Sequence, residues 1–211
     1  MNSALELVTP NIDLIPSFLE YIKELVNEGR SKSISGLLDY ANQIRSKGVD
    51  LTDDISAIRD YPIGYIAKLL NMEKGVDLAP SYFIPRTNLW VVVDREVVGD
   101  ININHMLKDE AARAGINIPG YTLGQEHYSS NVGYQIKPSK RGKGYATEAC
   151  HLALVYCKQY LNLKRVAISC NADNPASQRV IEKNGGVQDT PFVTESGDVK
   201  LKFWIDLENI L

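Results

Sequence analysis

The chain has 211 residues, 23 basic and 26 acidic side chains, three cysteines and 44% apolar residues. That composition is ordinary for a globular protein and long enough to bury a sizeable core as one domain. The net charge of −3 disfavours a nucleic-acid backbone as partner, and no apolar run approaches the roughly 18 residues of a membrane span.

Met1 to Glu6 lacks the basic and apolar stretches of a secretory leader. Three cysteines without a C-x-x-C pair point to a reducing, cytoplasmic setting and away from a zinc site. Ile15, Phe18, Leu19, Ile22, Leu25 and Val26 recur at helical spacing. Asn11 or Asp13 is the expected cap, Pro16 suits the first turn, and Gly29 ends the helix. A second helix carries Leu37, Leu38, Ala41 and Ile44, and a third runs from Pro62 to Met72.

After residue 85 the pattern changes to strands. Leu89–Val93, a turn at Asp94–Glu96, and Val97–Asn104 read as a hairpin, with Val97, Gly99, Ile101 and Ile103 on one face. Asp109–Ala114 forms one short helix, and Pro119-Gly120 is a turn. Asn131–Lys137 is a strand stopped by Pro138. Ala146, Ala149, Cys150, Ala153, Leu154, Cys157 and Leu161 then make one apolar stripe of a long helix. A strand at Arg165–Cys170 is followed by a short helix capped by Asn174, with Pro175 first and Gly185-Gly186 beyond its end. Val187–Val193 and Val199–Leu207 read as a closing hairpin turned at Glu195–Asp198. The aromatic residues Trp90, Phe203 and Trp204 are expected in the core. The fold class is α/β of the α+β type: a mixed, largely antiparallel sheet flanked by helices.

Lys140-Arg141-Gly142-Lys143-Gly144-Tyr145-Ala146 lies between a strand and the long helix. A glycine-rich turn at a helix N-terminus gathers backbone N–H groups and the positive end of the helix dipole, which suits a pyrophosphate. A P-loop is excluded, because Tyr145 and Ala146 follow Gly144 where Lys and Ser or Thr are needed. A dinucleotide fingerprint fails at Thr147, and no acidic residue stands at the ribose position.

Arg141, Gly144 and Ala146 match the R/Q-x-x-G-x-G/A signature of the GNAT superfamily of N-acetyltransferases. Tyr134–Pro138 resembles the strand before that signature, and Asn174–Gly186 is similar to a second motif about thirty residues on. The chain thus resembles bacterial acetyltransferases with an added helical N-terminal region, over residues 88–207. The resemblance implies the GNAT acyl-CoA acyltransferase fold, with residues 85–211 as its acetyl-CoA-binding core. Residues 1–80 would form an acceptor-side or dimer surface of the same single domain, 1–211. It implies that the pantetheine arm pairs with the strand backbone near Ile136 and Lys137. The pyrophosphate would lie on Arg141, Gly142, Lys143, Gly144, Tyr145, Ala146 and Thr147, with Asn174 holding the arm. A strand N–H would polarise the thioester carbonyl, and an amine would attack acetyl-CoA directly, with no metal.

Seven residues after the asparagine, where many relatives carry a tyrosine that protonates the leaving thiolate, stands Ile181. Ser177 is the first substitute, and its plainer role is to bond its own backbone. An alkyl ammonium, with a pKa of about 10, needs a base. The candidates are His127 first, Glu126 second, and His105. Cys150 and Cys157 belong to the helix stripe, and no histidine partners Cys170, so an acyl-cysteine route is not expected. The acceptor is a small-molecule, peptide or protein amine. Asp50, Asp53 and Asp54 form an acidic cluster able to attract it, or a solvated loop. Two other readings are a CoA- or acyl-CoA-binding sensor without turnover and an unrelated nucleotide-binding protein.

Overall fold

A computed structural model describes residues 4–76, 84–119, 130–194 and 196–210. Its first sheet is antiparallel throughout: β1 (Leu5–Val8), β2 (Arg86–Val93), β3 (Glu96–Asn104) and β4 (Val132–Ile136) lie side by side in that order. The second sheet holds β5 (Arg165–Asn171), the short β6 (Val187–Gln188) and β7 (Phe192–Val193), and β8 (Val199–Asp206). β8 is central there, with β5 on one edge and β6 and β7 on the other. Helices α1 (Ile15–Asn27), α2 (Leu37–Arg45), α3 (Asp54–Asp60) and α4 (Pro62–Glu73) precede β2. A short α5 (Lys108–Arg113) follows β3, α6 (Tyr145–Gln159) joins the sheets, and α7 (Pro175–Lys183) follows β5.

Two cores lie on opposite faces of the first sheet. On one, Phe18, Ile22 and Leu25 of α1 pack with Leu37, Tyr65, Trp90, Val92 and Val97. Phe18 stacks on Trp90 with ring centroids 4.4 Å apart. On the other, the α6 stripe of Ala149, Cys150, Ala153, Leu154 and Cys157 meets Val91, Ile101, Ile103, Phe203 and Ile205. Each large aliphatic or phenylalanine side chain buried there contributes about 1.5–3 kcal/mol. The three thiols are free and buried, and burial pushes those of Cys150 and Cys157 up to about 12.

Several sequence expectations are corrected. The first strand is β1, not β2, so the N-terminal segment contributes to the sheet as well as to the helices. Asn11 bonds the Thr9 carbonyl and Leu14 occupies the N-cap of α1, so neither Asn11 nor Asp13 caps it. The acidic cluster is a helix start. Asp53 caps α3 by accepting from the Ser56 N–H at 2.7 Å, and Asp54 pairs with Arg45 at 2.7 Å. Val98 is an extra residue opposite the Val91–Val92 step of β2. This bulge turns Val97 to the α1 face, away from Ile101 and Ile103. Residues 187–193 are not one strand: Asp189 to Pro191 interrupt it, and proline has no N–H for the ladder. Trp204 is half-buried rather than core, between the Arg165 guanidinium and the Lys202 ammonium, 4.2 and 4.7 Å from its ring centre.

The two sheets touch and then part. The Asn131 N–H donates to the Ala167 carbonyl at 2.8 Å, and Asn131 Oδ1 accepts the Ala167 N–H at 2.9 Å. Ser130 Oγ accepts the Ser169 N–H at 2.9 Å. Beyond that point β4 and β5 belong to separate sheets. A cleft opens between the end of β4, the start of α6 and the start of α7.

Candidate active site

The cleft has a volume of about 490 Å³. β4 forms one wall. The Asn104 N–H bonds the Asn131 carbonyl at one end of the β3–β4 pair, the Lys137 N–H bonds the Val98 carbonyl at the other, and the register between them is unbroken. Antiparallel alternation then commits the odd-numbered residues to β3 and turns the backbone groups of Tyr134 and Ile136 to the open edge. The Ile136 carbonyl is used by Arg141 Nε at 3.1 Å. The N–H groups of Tyr134 and Ile136 are left on the cleft side.

The glycine turn forms the second wall. Gly142 and Gly144 have φ of +78° and +85°, a left-handed region that glycine enters without the Cβ penalty. Gly144 is the N-cap of α6, and its carbonyl takes the N–H groups of Thr147 and Glu148. The N–H groups of Gly142, Lys143, Gly144, Tyr145 and Ala146 make no hydrogen bond among the described residues. Five adjacent unpaired donors at the positive end of a fifteen-residue helix make a strong anion site.

The basic side chains of this turn are spent elsewhere. Arg141 makes a two-pronged ion pair with Glu28 at the end of α1, at 2.9 and 2.7 Å. Its hydrogen bonds hold the Glu28 carboxyl below the usual range. Lys140 and Lys137 both pair with Glu96, Lys137 at 3.1 Å. Partial burial works to raise the Glu96 pKa, but the two lysines together hold it below its ordinary value. Ser139 donates its N–H and hydroxyl to Glu24, both at 2.9 Å. Exposed pairs of this kind add little to stability. Their effect here is to fasten α1 and the β2–β3 turn to the glycine loop. The free cations of the cleft come from other elements: among the described residues Arg30, Arg179 and Lys183 line it without an ion pair, and no carboxylate does.

α7 forms the third wall. Asn174 Oδ1 accepts the Ser177 N–H at 3.1 Å, capping the helix while the residue lines the cleft. Ser177 Oγ lies 2.8 Å from the Tyr134 phenol oxygen. Burial pushes the Tyr134 phenol well above its ordinary pKa, against the hydrogen bond with Ser177. Burial also raises the Cys170 thiol, and a hydrogen bond with Ser177 works the other way. Ile181 is fully buried and does not line the cleft; a Cβ on Gly186 would come 2.4 Å from its methyl group.

Of the site residues expected from sequence, Ile136, Arg141, Gly142, Gly144, Tyr145, Ala146, Thr147, Asn174 and Ser177 converge on this cleft. Lys137 and Lys143 do not line it. Lys137 is buried with its ammonium on Glu96, and its N–H is committed to β3. Lys143 is exposed beside the turn. Glu126 and His127 lie outside the described residues. His105 belongs to a different cluster, 2.8 Å from Thr87 Oγ1, which also contacts Glu73 and Tyr156. Sequence reasoning missed Arg30 and the side-chain role of Tyr134. The only local signal for Tyr134 was its even-numbered place on a strand whose neighbours face the long helix. Among the described residues no group of three His, Cys, Asp or Glu is placed to hold a metal ion. No described helix is long and apolar enough to cross a membrane.

The sequence model of the acetyltransferase (GNAT) domain family matches residues 68–187. The uncharacterised N-acetyltransferase YnaD of Bacillus subtilis (strain 168) is 35% identical over 80 residues, 38% of this chain and 46% of that protein. The chain therefore spans less than half the length of this curated relative. A structure of Mycobacterium smegmatis RimJ in complex with CoA-disulfide superposes with a TM-score of 0.61 at 16% identity, covering 99% of this chain and 84% of that one. The microcin C7 self-immunity acetyltransferase MccE, in complex with acetyl-CoA and AMP, gives 0.55 at 14% identity over 97% and 93% of the two chains. At these identities the two structures speak to the fold.

Proposed function

Since the chain belongs to the acetyltransferase (GNAT) family, we propose that it transfers the acetyl group of acetyl-CoA to an amine by direct attack in a ternary complex. The observation that carries this reading is the meeting of two sets of unpaired backbone donors in one cleft: the open edge of β4 and the turn from Gly142 to Ala146. An amide-bearing arm ending in a diphosphate needs donors of both kinds. The excess of cations over carboxylates in the cleft supports an anionic cosubstrate.

In this reading the pantetheine amides pair with the backbone of Tyr134 and Ile136, and the diphosphate lies on the N–H groups of Gly142 to Ala146. Arg141 contributes by shaping the turn rather than by touching phosphate. The Asn174 amide holds the arm. A β4 N–H stabilises the oxyanion formed as nitrogen attacks the thioester carbon. His127, with Glu126 second, takes the proton from the attacking ammonium. The carbon–sulfur bond then breaks, and Ser177 donates to the departing thiolate. The acceptor is an amine of a small molecule, a peptide or a protein. The buried free thiols suit work in a reducing compartment.

The place of Ile181 favours a second reading, in which acetyl-CoA is bound without turnover. Calorimetry with acetyl-CoA followed by a CoA-thiol release assay over polyamines, amino acids and short peptides tests both. Stoichiometric binding with thiol release on at least one amine is expected. Binding with no release on any amine selects the second reading, and no binding overturns both.

A further inference from the structure

The tyrosine that many relatives place on this helix is replaced by Ile181, which is packed against Gly186 and turned away from the cleft. We propose that a hydroxyl pair from two different elements meets the leaving thiolate instead, with Ser177 of α7 as the donor and Tyr134 of β4 as the positioning residue that aims it. This rests on the acetyl-CoA reading above and deepens it at the sulfur end.

Among the described residues, both acceptors within reach of the Tyr134 hydroxyl belong to Ser177: Oγ at 2.8 Å and the carbonyl oxygen at 3.3 Å. The phenol ring packs against the α6 core, so its oxygen has a fixed place. A serine hydroxyl on its own rotates freely, and in the first turn of a helix it competes for local backbone groups. The buried phenol stays protonated; at 2.8 Å either hydroxyl can be the donor, and in the proposed arrangement the phenol donates to Ser177 Oγ. That bond occupies one lone pair of Oγ and sends the serine hydrogen elsewhere. The Cys170 thiol, a weak acceptor, is a hydrogen-bond partner of Ser177. A thiolate arriving in the cleft is a much stronger one. As the carbon–sulfur bond breaks, its electron pair passes to sulfur, which takes the Ser177 hydrogen. The Tyr134 bond stabilises the oxygen left behind. The proton released by the attacking amine returns through water to restore the serine.

Steady-state kinetics on Tyr134→Phe, Ser177→Ala and the double variant test this, with acetyl-CoA, the best amine from the release assay, and melting temperatures as the folding control. Tyr134→Phe is expected to lower kcat about tenfold and to leave the KM for acetyl-CoA within about twofold. The double variant should be no slower than Ser177→Ala, because the phenol acts only through the serine. Ser177→Thr, which keeps a hydroxyl beside Tyr134, should hold kcat within about fivefold of wild type. Full kcat in Tyr134→Phe, losses that multiply in the double variant, or a Ser177→Thr as slow as Ser177→Ala would each overturn the proposal. Failure of the underlying reading shows up separately, as a wild-type protein that does not bind acetyl-CoA or releases no thiol.

Discussion

Gly144→Val is expected to raise the Kd for acetyl-CoA by at least about 100-fold, because it strikes the anion site in two ways. The φ of +85° at this N-cap costs an L-residue roughly 1–2 kcal/mol, and a β-branched one more. To escape that cost the turn must refold, which scatters the unpaired N–H groups of Gly142 to Ala146. The added side chain itself meets nothing within 4 Å, so it would stand in the open space that the proposed reading gives to the diphosphate. Gly115 is the matched control. It has a φ of +84°, an equally open surrounding and no place in the cleft. Gly115→Val should lower the melting temperature by a comparable amount and leave acetyl-CoA affinity unchanged. Equal affinities for wild type and Gly144→Val in a calorimetric titration would remove the diphosphate from this turn.

Asp100 sets the second large effect, on stability against pH. It is buried on β3 opposite Gln135, and burial raises its pKa to about 6 against the hydrogen bonds from Tyr21 and Gln135. The folded protein therefore holds this proton more tightly than the unfolded chain, whose carboxyl titrates near 4. Stability is greatest below the unfolded pKa and falls as pH rises through the folded one, by about 3 kcal/mol in all. Asp100→Asn keeps the size but cannot ionise. Its own cost is the same at every pH, since one of its amide hydrogens now faces the Gln135 donor. Denaturant unfolding from about pH 4 to 7 should thus show the variant gaining about 2 kcal/mol relative to wild type. A difference that stays constant across that range would mean that Asp100 ionises as freely in the fold as in the unfolded chain.

The crossover that builds the cleft was legible because its punctuation is local. Pro138, the two left-handed glycines, Asn174-Pro175 and Gly185-Gly186 each fix a boundary through backbone chemistry within a few residues. The α6 stripe is a clean helical repeat. Elements that depend on distant partners were not legible. β1 is four residues whose strand character comes from lying beside β2. α3 read as a charge cluster because a capping aspartate and a cation-attracting one look alike in sequence. The face switch at Val98 needs the β2 register. The largest change at the site itself concerns charge. Arg141 read as a phosphate ligand from its neighbours, but Glu28 reaches it from 113 residues away, as Glu96 reaches Lys140 from 44. The donors that the turn itself keeps for an anion are its backbone N–H groups, which no composition count records. Tyr134 and Ser177 stand 43 residues apart, and their pairing follows from the fold that brings the first turn of α7 to β4.

The cosubstrate assignment stands on seven amide hydrogens: those of Tyr134, Ile136 and Gly142 to Ala146. Amide hydrogen exchange with and without saturating acetyl-CoA reads them directly. Protection should rise at these positions, while amides already bonded in the fold, such as those of Lys137 and Thr147, change little. Unaltered exchange from Gly142 to Ala146 under saturating acetyl-CoA would contradict it.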